Sequence, residues 1–170
     1  ITYYETFVLM VGQITDDFES GDLGAFDWQT SGSADWFVTG GAYEGSYCAR
    51  SGGIGSNETT TLSISINAIQ NGTIAFHYKV SCEGSPNDDY DFLYFAIDGQ
   101  EQDRWDGETG WDYADFPVSA GEHTFSWVYS KDIYTSSGSD CAWIDLVEFP
   151  PFVGDVLAVF FLSPSSLNYG

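Results

Sequence analysis

The chain is 170 residues long and carries 26 Asp plus Glu against four Lys plus Arg, a formal net charge of −22 at neutral pH. With so few cations no basic patch can be assembled, which speaks against nucleic acid and anionic membrane surfaces as partners. Yet 43% of the residues are hydrophobic and 18% aromatic, ample for a core, so one globular domain with extensions is expected rather than an acidic disordered chain.

In chain order, "YYETFVLMVG" reads as a lone apolar strand, and residues 1–15 are assigned to a neighbouring or companion unit. The opening has no signal-peptide or lipidation pattern, as expected of a mature or excised piece. "DDFESGD" follows, with Asp17 and Glu19 on one side of an extended segment. In "TLSISINAI" Leu62, Ile64 and Ile66 alternate with polar residues, and in "TIAFHYKVS" so do Ile74, Phe76, Tyr78 and Val80; the intervening "QNG" suggests a hairpin turn. "DFLYFAIDG", "HTFSWVYS" and "GSDCAWIDLVEFP" continue the period of two, the last placing Asp145 in phase with Trp143, Val147 and Phe149. No long stretch has helical spacing, so residues 16–150 are expected to form an all-β, two-sheet antiparallel jelly-roll sandwich. "PPFVGD" then reads as a linker, and residues 151–170 as that linker plus the terminal strand "VLAVFFLSPSSLNYG", far short of the roughly 20 apolar residues that span a bilayer. Unpaired apolar strands invite strand addition, so a homo-oligomer or filament through the two ends is expected.

Asp145 poses the central chemical question, because a carboxylate inside a buried strand must be compensated. Calcium takes several hard oxygen ligands, and in a jelly roll the first and last strands lie close. Glu19, Asp145 and either Asp17 or Asp22 are therefore the candidate calcium ligands, the alternative being that Asp145 binds backbone amides or caps a bulge. "RWDGETGWD" places Trp105 and Trp111 around Glu108, a mix that could stack a sugar and bind its hydroxyls, with Trp36 as a third platform. The competing reading makes these tryptophans plugs of the sandwich. The acidic loops 83–91 and 130–140 could hold a second cation or simply be solvated. Cys48, Cys82 and Cys141 leave open one disulfide or three buried thiols. His77 and His123 lie in strand patterns without a nucleophile signature, so no enzyme is expected.

"DDFESGDLGAFDW", "GSYCARSGGI", "FHYKVSCEGS", "DFLYFAIDG", "RWDGETGWDYADFPVSAGEHTFSWVYSKD" and "GSDCAWIDLVEFP" together resemble bacterial secreted and surface modules similar to MAM domains and to the cleaved-adhesin modules of gingipain-type proteases. The resemblance implies a calcium-stabilised jelly roll on exported proteins, with its early glutamate at Glu19 and its last-strand aspartate at Asp145. "SPSSLNYG" is similar to the opening strand, and "YYETFVLMVG" to the closing strand, of a bacterial immunoglobulin-like domain. The expected function is a non-catalytic, calcium-stabilised extracellular structural or adhesion module that assembles with copies of itself or with neighbouring domains through its terminal strands, with a glycan or surface protein as a further partner; the alternative is a glycan-binding module of a secreted bacterial enzyme or protease.

Overall fold

Eleven strands carry the period-two segments in the computed structural model of the chain, which describes residues 14–85 and 90–152. They are β1 (Ile14–Asp16), β2 (Gln29–Gly32), β3 (Phe37–Gly40), β4 (Tyr47–Arg50), β5 (Thr59–Ala68), β6 (Gly72–Ser81), β7 (Phe92–Ile97), β8 (Gln100–Asp106), β9 (Asp112–Val118), β10 (Gly121–Ser130) and β11 (Cys141–Phe149). One sheet runs β2-β5-β10-β7-β8; the other runs β3-β4-β11-β6-β9, with β1 also pairing with β11, and every pairing is antiparallel. This is the expected two-sheet jelly-roll sandwich. The proposed terminal strands within 1–13 and 153–170 lie outside the described residues, and with them the assembly they suggested.

Alternation sets the core. Leu62 and Ile64 of β5 pair with Trp127 and Phe125 of β10, so their side chains share the inner face. From the opposite sheet Phe76 of β6 meets Phe95 at 4.9 Å and Trp127 at 5.2 Å between ring centroids. Tilted and edge-on ring pairs of this kind let large side chains interdigitate without voids.

Two expectations change. "QNG" is not a hairpin turn: β5 pairs with β2 and β10, whereas β6 pairs with β9 and β11, so the short link crosses between sheets. Both strands have a full apolar face, and those faces are buried by stacking across the core rather than by lying side by side. The link is fastened outside, where Asn71 Oδ1 accepts the Ala120 amide and the Ile69 amide donates to the Pro151 carbonyl. The phase of β11 also changes within the strand. Asp145 pairs with His77 but Glu148 with Ala75, so Leu146 and Val147 share a single opposing residue, Phe76, in a β-bulge. Leu146 takes a left-handed φ of 46° there. Trp143 and Asp145 therefore face outward, while Val147 and Phe149 turn into the core.

Gly32 ends β2 with φ +100°, and a Cβ built there would lie 2.3 Å from the Thr59 carbonyl oxygen. Gly32→Ala is expected to lower unfolding free energy by about 1–3 kcal/mol, read from urea titration, with the strand signal in circular dichroism retained.

Candidate functional site

The outer face of the β3-β4-β11-β6-β9 sheet is where the unusual chemistry gathers. Asp145 is 0% exposed although it points outward, because the β3–β4 loop folds over it. Its Oδ1 accepts the Leu146 amide at 2.8 Å, at the bulge, and its Oδ2 accepts the amides of Tyr43 (2.8 Å) and Glu44 (3.2 Å). Glu19 reaches the same loop from the other side, Oε1 accepting the amides of Ser46 and Tyr47 at 2.7 Å each. Gly45 makes the approach possible: its φ is +74°, and a Cβ there would sit 2.5 Å from Glu19 Oε1. Burial pushes the Asp145 carboxyl above the usual range; the amides of Glu44, Leu146 and Tyr43 oppose that shift, and the nearby Glu19 charge adds to it.

Of the four expected calcium ligands, then, Glu19 and Asp145 converge. Asp17 instead accepts the Glu19 amide and Asp22 the Gly24 amide, each within its own exposed turn. Among the described residues no group of three or more His, Cys, Asp and Glu side chains is placed to hold a metal, so any cation here would draw further ligands from the backbone. Two features fit a hard cation: neither carboxylate has a basic side chain within 4 Å among the described residues, and Glu19 Oε2 accepts no hydrogen bond from them. Sequence reasoning missed Asp16, which is buried, accepts the Phe18 amide at 2.9 Å and the Trp28 indole N–H at 2.7 Å, and so anchors the start of the sandwich. Its signal was present: in "DDFES" Asp16 shares a side with Phe18, the apolar side.

The pinned loop sets Tyr43 flat on His77, ring centroids 3.7 Å apart, with Trp111 edge-on at 6.3 Å. Tyr113 of β9, paired with His77, lies beside it. Tyr43 and Tyr113 are 48% and 49% exposed. Burial lowers the His77 pKa against the pull of Glu148, Glu44 and Asp112, so the ring is neutral near pH 7. The adjoining row follows strand pairing: Phe37 on β3 opposes Arg50 on β4, Arg50 opposes Trp143 on β11, and Trp143 opposes Lys79 on β6. The Arg50 guanidinium sits 5.6 Å from both the Phe37 and Trp143 ring centres, and Lys79 Nζ is 4.1 Å from Trp143 and 5.1 Å from Trp111. Phe37, 41% exposed, ends the row.

The expected tryptophan platform is divided. Trp36 is 2% exposed and belongs to the core, since its neighbour Phe37 takes the outer face. Trp105 stacks on Tyr78 at 4.1 Å and abuts Phe76, closing the sandwich edge. Glu108 accepts the Ser81 hydroxyl at 2.8 Å, in a bridge to β6. Only Trp111 joins the outer face. In the 130–140 loop the positive charge is the chain's own: Lys131 is buried, bonds Asp140 and Ser136, and stands 3.9 Å from Asp91. The three cysteines are buried free thiols, and burial pushes Cys48 up to about 11 and Cys82 up to about 12.

Asp98, His123 and Ser119 form a series in space that sequence patterning did not show, with Nδ1 2.7 Å from Asp98 Oδ2 and Nε2 3.2 Å from Ser119 Oγ. Nε2 is also 3.1 Å from the Ser119 carbonyl oxygen. The arrangement ties the β7–β8 turn to the β9–β10 turn.

No family model and no curated protein matches the sequence. Solved structures do match. A cleaved adhesin domain of Lys-gingipain from Porphyromonas gingivalis superposes with a TM-score of 0.57 at 14% identity, over 81% of this chain and 96% of that one. The carbohydrate-binding module TmCBM61, solved with β-1,4-galactotriose, gives 0.54 at 14% identity, covering 79% and 94%. The CBM22-1 xylan-binding domain of a Paenibacillus barcinonensis protein gives 0.54 at 17%, covering 83% and 94%. At these identities the likeness is one of fold, and it matches the gingipain-type part of the sequence resemblance.

Burial raises the pKa values of Asp16, Asp91 and Asp145. A carboxyl raised in the folded state binds protons there more readily than in the unfolded chain, so its contribution to stability is present below the ordinary carboxylate range and is lost as pH rises through the folded value. In chelator, the urea midpoint is expected to rise as pH falls from neutrality toward the ordinary carboxylate range, and Asp145→Asn is expected to flatten part of that rise.

Proposed function

We propose that the chain is a non-catalytic glycan-binding module of an exported or cell-surface protein. The observation that carries this is the outer sheet face, where the exposed rings of Tyr43, Tyr113 and Phe37 stand among Trp111, Trp143 and the polar groups of Glu44, His77 and Asp112. Sugar rings present an apolar face and a rim of hydroxyls, so they bind where aromatic rings and hydrogen-bonding side chains alternate on a rigid support. Strands supply that rigidity, and the loop bearing Tyr43 is fixed by carboxylates at both ends. The fold likeness to carbohydrate-binding modules supports the reading, and the likeness to an adhesin domain supports placement outside the cell.

Calcium at Glu19 and Asp145 belongs to the same proposal. A divalent ion shared by the two carboxylates, with backbone oxygens completing its sphere, would offset their repulsion and stiffen the loop that carries Tyr43.

Two measurements test these statements separately. Affinity electrophoresis across soluble polysaccharides should show retention that falls at least about tenfold in Tyr43→Ala and Tyr113→Ala without a change in melting temperature. Trp36→Ala and Trp105→Ala should instead destabilise by about 3–5 kcal/mol, as losses from packing do. Absence of retention on every polysaccharide would reject glycan binding. Chelator should lower the melting temperature, and the acid-side gain in stability should shrink in calcium because the ion holds Asp145 ionised. A melting temperature indifferent to chelator would reject the ion and leave glycan binding standing.

A further inference from the structure

The chain has four basic residues, and the structure uses them in two ways. Arg104 is paired with Glu101 through two contacts of 2.6 and 2.7 Å, and Lys131 is enclosed by Asp140 and Asp91. Arg50 and Lys79 are different. They flank Trp143 on adjacent strands, and among the described residues neither has a carboxylate within 4 Å. Arg50 donates Nε–H to Cys141 Sγ at 3.2 Å, its two terminal nitrogens having no acceptor among the described residues, and Lys79 Nζ touches only the faces of Trp111 and Trp143. In a protein with 26 acidic residues, two cations set apart from every carboxylate of the described residues stand out. The rings hold the two cations on either side of Trp143 and leave the Arg50 terminal nitrogens and the Lys79 ammonium without an acceptor among the described residues.

We propose that the glycan recognised by this face is anionic, its carboxylate or sulfate groups met by Arg50 on one side of Trp143 and by Lys79 on the other while the sugar lies along the row from Phe37 to Trp111. This rests on the glycan-binding reading and adds the charge of the ligand to it. A guanidinium fork and an ammonium each match a planar or tetrahedral anion with charge-assisted bonds, which a neutral sugar does not need. The other end of the face fixes the direction. Glu44, Asp112 and Glu148 act together on His77, so an acid group is repelled there and hydroxyls are accepted. The excess negative charge of the whole chain repels polyanions at long range, so retention of one points to a local site and not to diffuse attraction.

The test uses the full chain and three probes: polygalacturonate, its fully methyl-esterified form, and dextran sulfate with dextran as its neutral control. Binding to at least one anionic polymer is expected to exceed that to its neutral counterpart about tenfold or more. Preference for polygalacturonate identifies a uronate, and preference for dextran sulfate alone identifies a sulfate. Arg50→Gln and Lys79→Gln should bring the acid-to-neutral ratio close to one, Lys79→Arg should keep it, and Arg104→Gln, on the other sheet, should leave it unchanged. Circular dichroism and melting temperature confirm folding of each variant, and the ratio is compared only between folded proteins. Equal binding of the acidic and neutral forms would overturn the inference and leave glycan binding intact. Binding to none of the polysaccharides would remove both. Binding to polyglutamate as strong as to the anionic polymers would overturn it in favour of an acidic peptide partner.

Discussion

A carboxylate out of contact with water and without an adjacent cation must find hydrogen-bond donors, and Asp145 finds them in three backbone amides. Two of those amides belong to the loop between β3 and β4, so satisfying one aspartate fixes a surface loop against the middle of a sheet. Everything distinctive about the outer face follows from that contact. The loop covers Cys48 and Asp145, lays Tyr43 over His77, and leaves the Phe37-to-Trp111 row open beside it. The bulge immediately after Asp145 belongs to the same economy, because its turned backbone presents the third amide and returns the rest of β11 to the core.

The same device recurs wherever the chain is short of cations. Asp16, Asp17, Asp22, Asp98, Asp132, Glu19 and Glu58 all accept backbone amides, mostly from a residue or two away in turns. Such Asx-type contacts neutralise part of each charge with the dipoles of the main chain. They explain how a strongly acidic sequence keeps a compact fold with four basic residues, and they free Arg50 and Lys79 from structural service.

Much of the fold was legible because period two was strong in β5, β6, β7, β10 and the first half of β11, and alternation alone decides which residues face inward. What alternation does not encode is the partner. The "QNG" link looked like a hairpin because a short turn between two apolar strands serves a hairpin or a sheet-to-sheet crossing equally well. At the site, the convergence of Glu19 and Asp145 was legible from strand phase and from the proximity of first and last strands in this architecture. The amides they bind were not, since Tyr43 lies 102 residues from Asp145 and nothing local marks it. Tryptophan content pointed to the right kind of surface but partly to the wrong rings. Trp36 and Trp105 sit on the inward phase, and that phase depends on a register that only pairing fixes. Arg50, Lys79 and Trp143 were ordinary strand residues until the pairing aligned them.

The placement of β11 bears on how the molecule is made. It is the last of the described strands, yet it lies at the centre of its sheet, between β4 and β6 and against β1. Until it has been synthesised, β4 and β6 have no common neighbour, and the inner face of β6 has no finished sheet around it. As the chain lengthens, the β2-β5-β10-β7-β8 sheet can pair without β11, whereas the long-range pairing of the β3-β4-β11-β6-β9 sheet waits for that strand.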